Sequence, residues 1–89
     1  MIIRSQKKHM LINMDMVNAV SLGGLNCNKV LAVMGDDLPT TAEYTTKEKA
    51  LKALDMIQNS YQYAEECKYT GVGASQPEFV FQMPQDSEV

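Results

Sequence analysis

The sequence predicts an α+β fold: a small antiparallel β-sheet, with elements in the order β-β-β-β-α-β, and one long amphipathic helix packed on one face. Three observations carry this. From Thr45 to about Lys68, apolar or aromatic residues fall at Ala50, Leu51, Leu54, Ile57, Tyr61 and Ala64, the three-and-four spacing of one helical stripe. From Met10 to Leu22 the even positions Met10, Ile12, Met14, Met16, Val20 and Leu22 are apolar, broken only by Asn18, which is the period-two pattern of a half-buried strand. The remaining β-branched and aromatic runs are short and bounded by Gly, Asp, Asn and Pro, as strands bounded by turns are.

Taken in order, Met1 to Gln6 (MIIRSQ) reads as a first strand followed by the polar connection Lys7, Lys8 and His9. Met10 to Leu22 reads as a second strand with a bend or bulge near Asp15 to Asn18. A helix ending at Gly23-Gly24 competes for that stretch, because Met10, Met14, Val17 and Val20 also match helical spacing and Gly commonly stops helices. Gly23 to Asn28 is turn-rich, and Lys29 to Met34 (KVLAVM) is a buried strand that pairs back as a hairpin. Gly35 to Pro39 forms a second turn, and Thr40 to Tyr44 is a short strand leading into the helix. Thr45 stands three residues before Glu48, the spacing of a capping box. Glu48 also precedes Lys52 by four, an ion pair that adds only about 0.2 to 0.5 kcal/mol. A lone helix of this length is marginal in water, so its stripe must be buried against the sheet. Tyr69 to Pro77 is a reversing loop, and Glu78 to Met83 is a last strand with Phe79, Phe81 and Met83 on one face. Pro84 lacks an amide donor and suits a strand end or sheet edge. Residues 84–89 read as a polar C-terminal tail, and residues 1–89 as one domain.

Size and composition bound the function. At 89 residues the chain supports one modest core, and this is near the size where oligomerisation often supplies further buried surface, so a homodimer or higher oligomer is expected. No apolar run approaches the roughly 18 residues of a membrane span. The start, MIIRSQKKHM, has no apolar h-region behind its charges, which points to a cytoplasmic protein. A net charge of −3 argues against general nucleic-acid affinity. Cys27 and Cys67 stand outside any CxxC or Cys/His cluster and read as free thiols.

Candidate binding residues fall into two groups. Arg4, Lys7 and Lys8 hold three of the eight basic residues and, with Ser5, Gln6 and His9, could clamp a phosphate or an acidic surface, or simply form a solvated strand end and turn. Among the tyrosines, Tyr61 lies on the apolar stripe and is expected in the core, whereas Tyr63 points elsewhere and could stack on a base or fill a partner's pocket, with Tyr69 the other candidate. His9 is the only histidine and has no Cys or acid at ligand spacing, so no metal site is expected. Gly71 to Ser75 resembles a phosphate loop superficially, but it follows a helix and does not open one, so it reads as a turn. Seven methionines, with Met10, Met14 and Met16 close together, suit either core filling or an adaptable interface. There is no Ser/His/Asp set at recognisable spacing, and the chain reads as a non-enzyme without a cofactor.

Read together, MIIRSQ, LINMDMV, AEYTTKEKALKALDMIQ and FVFQMP resemble a group of small proteins carried by phages, prophages and mobile elements of Gram-positive bacteria. In that group a strand ending in Arg-Ser-Gln precedes a Leu-Ile-Asn strand, and Tyr-x-Thr-x-Glu opens the helix. The similarity spans nearly the whole chain, which departs from the pattern in its longer Tyr61 to Pro77 connection. It supplies no catalytic residues. What it implies is a counter-defence protein that binds and blocks a bacterial immune effector in the host cytoplasm. A sponge that sequesters a signalling nucleotide at an oligomer interface, held by Arg4 with Lys7 or Lys8 and a tyrosine, is the alternative. A structural or regulatory phage component is the third possibility.

Overall fold

The protein is described from a computed structural model covering residues 1–70 and 80–89, with the backbone alone for 67–70. Its strands are β1 (Ile2–Arg4), β2 (Leu11–Asn13), β3 (Ala19–Gly23), β4 (Lys29–Val33), β5 (Thr40–Glu43) and β6 (Val80–Gln82). The helix α1 spans Lys47–Thr70 between β5 and β6. The α+β class and the predicted order therefore hold.

The strands form two sheets of three, in the orders β2-β1-β6 and β3-β4-β5. In the first sheet β2 runs antiparallel to β1, with Ile3 opposite Ile12, but β6 runs parallel to it, with Ile3 opposite Phe81. The sequence pattern predicts one antiparallel sheet, and the structure has instead two, one of them mixed. Direction is set here by the helical crossover, which returns the chain to enter beside β1 in the same sense.

The alternation from Met10 to Leu22 is real but serves two strands. Asn13 Oδ1 accepts from the Asp15 amide at 3.0 Å and starts the 3-10 turn Met14–Met16, which carries the chain from one sheet to the other. This is the expected bend, and it leaves Met16 exposed. Asn18, the break in the alternation, accepts from the Gly35 amide at 3.0 Å and so braces the turn between β4 and β5. Gly35 takes φ +62° at the first central position of that turn, where Met34 and Asp37 exchange backbone hydrogen bonds of 2.9 and 3.0 Å. The β3–β4 hairpin pairs in register from Ala19 opposite Val33 to Gly23 opposite Lys29.

Two details of the helix differ from expectation. The cap is Thr46, not Thr45: Thr46 Oγ1 accepts from the Lys49 amide at 3.2 Å. Thr45 is drawn away because its amide and hydroxyl donate to Asp86 Oδ1 at 2.8 and 3.1 Å, a long-range partner that local spacing does not reveal. The buried face is Ala50, Ala53, Ile57 and Ala64, while Leu51 is 41% and Tyr61 37% exposed, so Tyr61 is not core. Ala53 and Leu51 lie on opposite sides of Ala50 around the helix. The face that packs is the one whose small side chains let the helix approach the sheet closely. Its buried residues share one core with Ile3, Ile12, Val30, Ala32, Ala42, Tyr44 and Met83, with Met10, Met14, Val20, Leu22 and Phe81 at its margin. Glu78 and Phe79 lie outside the described residues.

The two sheets meet at Gln6. Its amide donates to Thr41 O of β5 at 2.8 Å, and its side-chain Oε1 accepts from the Glu43 amide at 3.0 Å. Its Nε2 donates to Pro84 O at 3.3 Å, and its carbonyl accepts from Gln85 Nε2 at 2.7 Å. The segment read as a polar tail is thus fastened down: Pro84 is buried, and its carbonyl also accepts from the Tyr44 hydroxyl at 2.8 Å. Asp86 accepts from Thr45 and from Lys49 Nζ at 3.0 Å. Gln6, through its main-chain amide and its side-chain Oε1, and Asp86 thus engage Thr41 O and the Glu43 and Thr45 amides along the outer edge of β5.

Gln6→Ala is expected to lower unfolding stability by about 1 to 2 kcal/mol in urea titration, because it removes one acceptor and one donor from this joint while leaving every strand intact. Burial, reinforced by Asp86 and Glu88, pushes the Tyr44 hydroxyl up to about 12 from 10.0. Its protonated form is therefore favoured by folding, and that contribution is complete below pH 10 and lost as pH rises from 10 towards 12. Thermal melts across this window should fall more steeply for the wild type than for Tyr44→Phe, which has no proton to lose.

Candidate functional site

The basic residues are presented by the turn between β1 and β2. Ser5 is buried at its base, where its amide donates to Met10 O at 2.9 Å and its Oγ accepts from the Met10 amide at 3.1 Å. The Lys8 amide closes the turn on Ser5 O at 2.8 Å, with Lys8 in the left-handed region at φ +65°. Such a conformation disfavours any residue with a Cβ. Arg4 folds back over the turn, its Nε and Nη2 donating to Lys8 O at 3.4 and 3.3 Å. Arg4 is thus engaged in holding the turn.

Two shallow grooves flank it. One, of about 290 Å³, is lined by Gln6, Lys7 and His9 of the turn and by Lys29, Thr40, Ala42 and Glu43 of the second sheet. The other, of about 400 Å³, is lined by Gln6, Lys7, Glu43, Tyr44, Thr45 and Asp86. Of the three predicted basic residues only Lys7 lines these grooves; Arg4 and Lys8 line neither. Lys29 is a groove residue that the sequence reading placed only at the head of an apolar run. Its position follows from the pairing of Lys29 with Glu43, whose carboxylate is 3.9 Å from Lys29 Nζ. Both grooves are electrostatically mixed, since Glu43 lines each and Asp86 the second. The hydrogen bond from the Thr45 amide, then that from Lys49, holds the Asp86 carboxyl below its ordinary value, so it is anionic at neutral pH.

A third surface has a different character. Tyr63, 58% exposed, lines a cleft of about 300 Å³ with Met1, Asn59, Ser60, Val80 and Phe81. Val80 is also 58% exposed, and Met56 is 39% exposed on the same helix. Among the described residues, no ionisable side chain other than the Tyr63 phenol lines this cleft. Tyr63 and the basic turn share no cleft; among the described residues the tyrosine that lines a groove with Lys7 is Tyr44, which is buried at 3% exposure. The side chain of Tyr69 lies outside the described residues, as do Gly71 to Ser75 and the side chain of Cys67.

Within the described residues the two strongly engaged polar groups, Tyr44 and Asp86, are accounted for by the joint that they hold together. Cys27 is a half-buried free thiol in the β3–β4 loop, at φ +53°. No three His, Cys, Asp or Glu side chains converge to hold a metal, and no helix is long and apolar enough to cross a membrane, among the described residues. Compared with protein-family models, curated proteins and solved structures, the chain matches none.

Because Lys8 carries a left-handed backbone, Lys8→Gly should raise stability by roughly 0.5 kcal/mol in chemical denaturation, the relief of strain exceeding the added freedom of the unfolded chain. A loss of stability would show that the Lys8 side chain itself holds the turn.

Proposed function

We propose that this chain is a non-enzymatic binding protein that occupies a protein partner through the Tyr63 cleft. On the strength of the resemblance to mobile-element proteins, we further propose that the partner is a bacterial immune effector that it blocks. The observation that carries the reading is the pairing of an exposed aromatic ring with an apolar floor: Tyr63 beside Met1, Val80 and Phe81. Amphipathic aromatic side chains at the rim of a water-excluding pocket are the usual anchors of protein interfaces. The basic turn supports the reading less, because Arg4 is engaged and acids share its grooves.

The second reading, a nucleotide sponge, rests on one observation: Lys7, His9 and Lys29 line a single groove. Tyr63 lines a different cleft, so within one copy it is not the ring that would stack there.

Expression in bacterial strains that each carry one defence system, scored by phage plating, identifies the effector; the purified pair then gives an affinity. Tyr63→Ala and Val80→Asp should each weaken that binding by roughly 30-fold or more, the loss of one interface anchor, and Lys7→Ala should change it by less than about threefold. Full protection retained by both cleft variants counts against the cleft. A thermal shift with cyclic or linear nucleotides that disappears in Lys7→Ala would transfer the assignment to the sponge.

A further inference from the structure

We propose that a second copy of this chain pairs with β3, two β3 strands running antiparallel about a two-fold axis at Ser21 to join two three-stranded sheets into one of six. This inference is independent of what occupies the Tyr63 cleft.

The four edge strands of the two sheets are not treated alike. The β5 edge is covered by Gln6, which bonds Thr41 O and the Glu43 amide, and by Asp86, which bonds the Thr45 amide. Strand β2 has three residues and runs into a 3-10 turn; β6, described from Val80 to Gln82, is followed two residues on by Pro84. Short strands and prolines are devices that blunt an edge. Strand β3 has none of them. It has five residues, Ala19 to Gly23, with no charge and no proline.

Strand alternation fixes which groups it presents. The Tyr44 amide donates to Asn28 O, and Val30 pairs with Ala42, so the even-numbered groups of this part of β4 face β5. Its odd-numbered residues therefore face β3, where Lys29, Leu31 and Val33 pair with Gly23, Ser21 and Ala19. The backbone groups of Val20 and Leu22 consequently point outward. Among the described residues nothing bonds to them.

That pattern is self-complementary. With Ser21 on the axis, Val20 of one copy lies opposite Leu22 of the other, and each such pair exchanges two N–H···O bonds, so all four outward groups are satisfied. Val20 and Leu22 already pack at the margin of the core, and the new pairs would extend that apolar face across the axis. The ends match as well. Antiparallel pairing brings the start of one β3 to the end of the other, where Met16 is 71% and Leu25 fully exposed in the single chain. No charge on the strand opposes its copy, which matters in a protein of net charge −3.

The test is the solution mass by light scattering or sedimentation, with charge placed on the axis. The wild type should have twice the 9.9 kDa of one chain. Ser21→Lys and Ser21→Glu should each be monomeric, because like charges meet at the two-fold, and an equimolar mixture of the two should recover the dimer. The Ser21 side chain lies on the half-exposed face, so circular dichroism should match wild type. A second variant does not depend on charge: Ser21→Cys, with Cys27→Ser and Cys67→Ser, should give a covalent dimer on mild oxidation, since Cα atoms in a non-hydrogen-bonded antiparallel pair are about 4.5 Å apart, within disulfide reach. A wild type that stays monomeric at about 100 µM, where even a weak pairing is populated, overturns the proposal. So does a dimer that Ser21→Lys leaves intact, or a mixture of the two charged variants that stays monomeric.

Discussion

The fold depends on one side chain behaving as backbone. Three short strands rarely make a sheet that stands alone, and here there are two such sheets. Gln6 joins them by continuing the line of β1 beyond its last paired residue and laying its own amide, both main-chain and side-chain, along the edge of β5. A shorter Asn would not span from the chain axis to the Glu43 amide in the same way, and a Glu would supply the acceptor without the donor that reaches Pro84 O. The joint therefore uses both the acceptor and the donor end of the glutamine amide.

The C-terminal residues complete that joint. Asp86 lies against the start of α1, where the exposed amides of a helix favour negative charge, and it also offsets Lys49, a cation in a first turn that the helix dipole disfavours. Tyr44 links the end of β5 to Pro84 from the buried side, while Asp86 links the following residue from the exposed side. Two consecutive residues are thus held from opposite faces by one short segment. The clamp ties the end of β5 and the start of the helix to the C-terminal segment. Had the stripe been chosen by side-chain size alone, Leu51 would be inside; the smaller Ala53 is buried instead.

This explains what was legible in the sequence and what was not. Periodicity located the helix, the β3–β4 hairpin and the last strand, because each is a local pattern of apolar spacing or turn residues. It could not divide Met10 to Leu22, since Ile12 and Val20 keep the same parity although they serve different sheets. Nor could it choose between Thr45 and Thr46 as the cap, because the deciding partner, Asp86, is far away in sequence. The candidate sites fared likewise. Arg4, Lys7 and Lys8 are neighbours in the chain, yet a left-handed turn separates their roles: one bonds the turn, one lines the grooves, and one carries the strained backbone. Lys29 joins Lys7 only through strand register. Tyr63 was picked out by being off the apolar stripe, and that helical argument placed it correctly on the surface; its cleft required β6, whose parallel direction no local pattern encodes.

The same economy constrains where recognition can be built. The polar side chains with the richest bonding, Gln6, Tyr44 and Asp86, are held in the joint, and a ligand that competed for them would loosen the union of the sheets. Binding that leaves the fold intact must therefore use surface that the joint does not engage. The Tyr63 cleft satisfies this condition, being bounded by the helix and the first sheet and lined by none of the joint residues. The second groove does not, since Gln6, Tyr44, Thr45 and Asp86 all belong to the joint. The Lys7–His9–Lys29 groove is intermediate, sharing Gln6 and Glu43 with the joint while its cations remain outside it. A protein partner seated on the apolar cleft would thus leave stability nearly independent of the joint, whereas an anion drawn to Lys7 and Lys29 would compete with Glu43 for Lys29 and act on the strand that Gln6 holds.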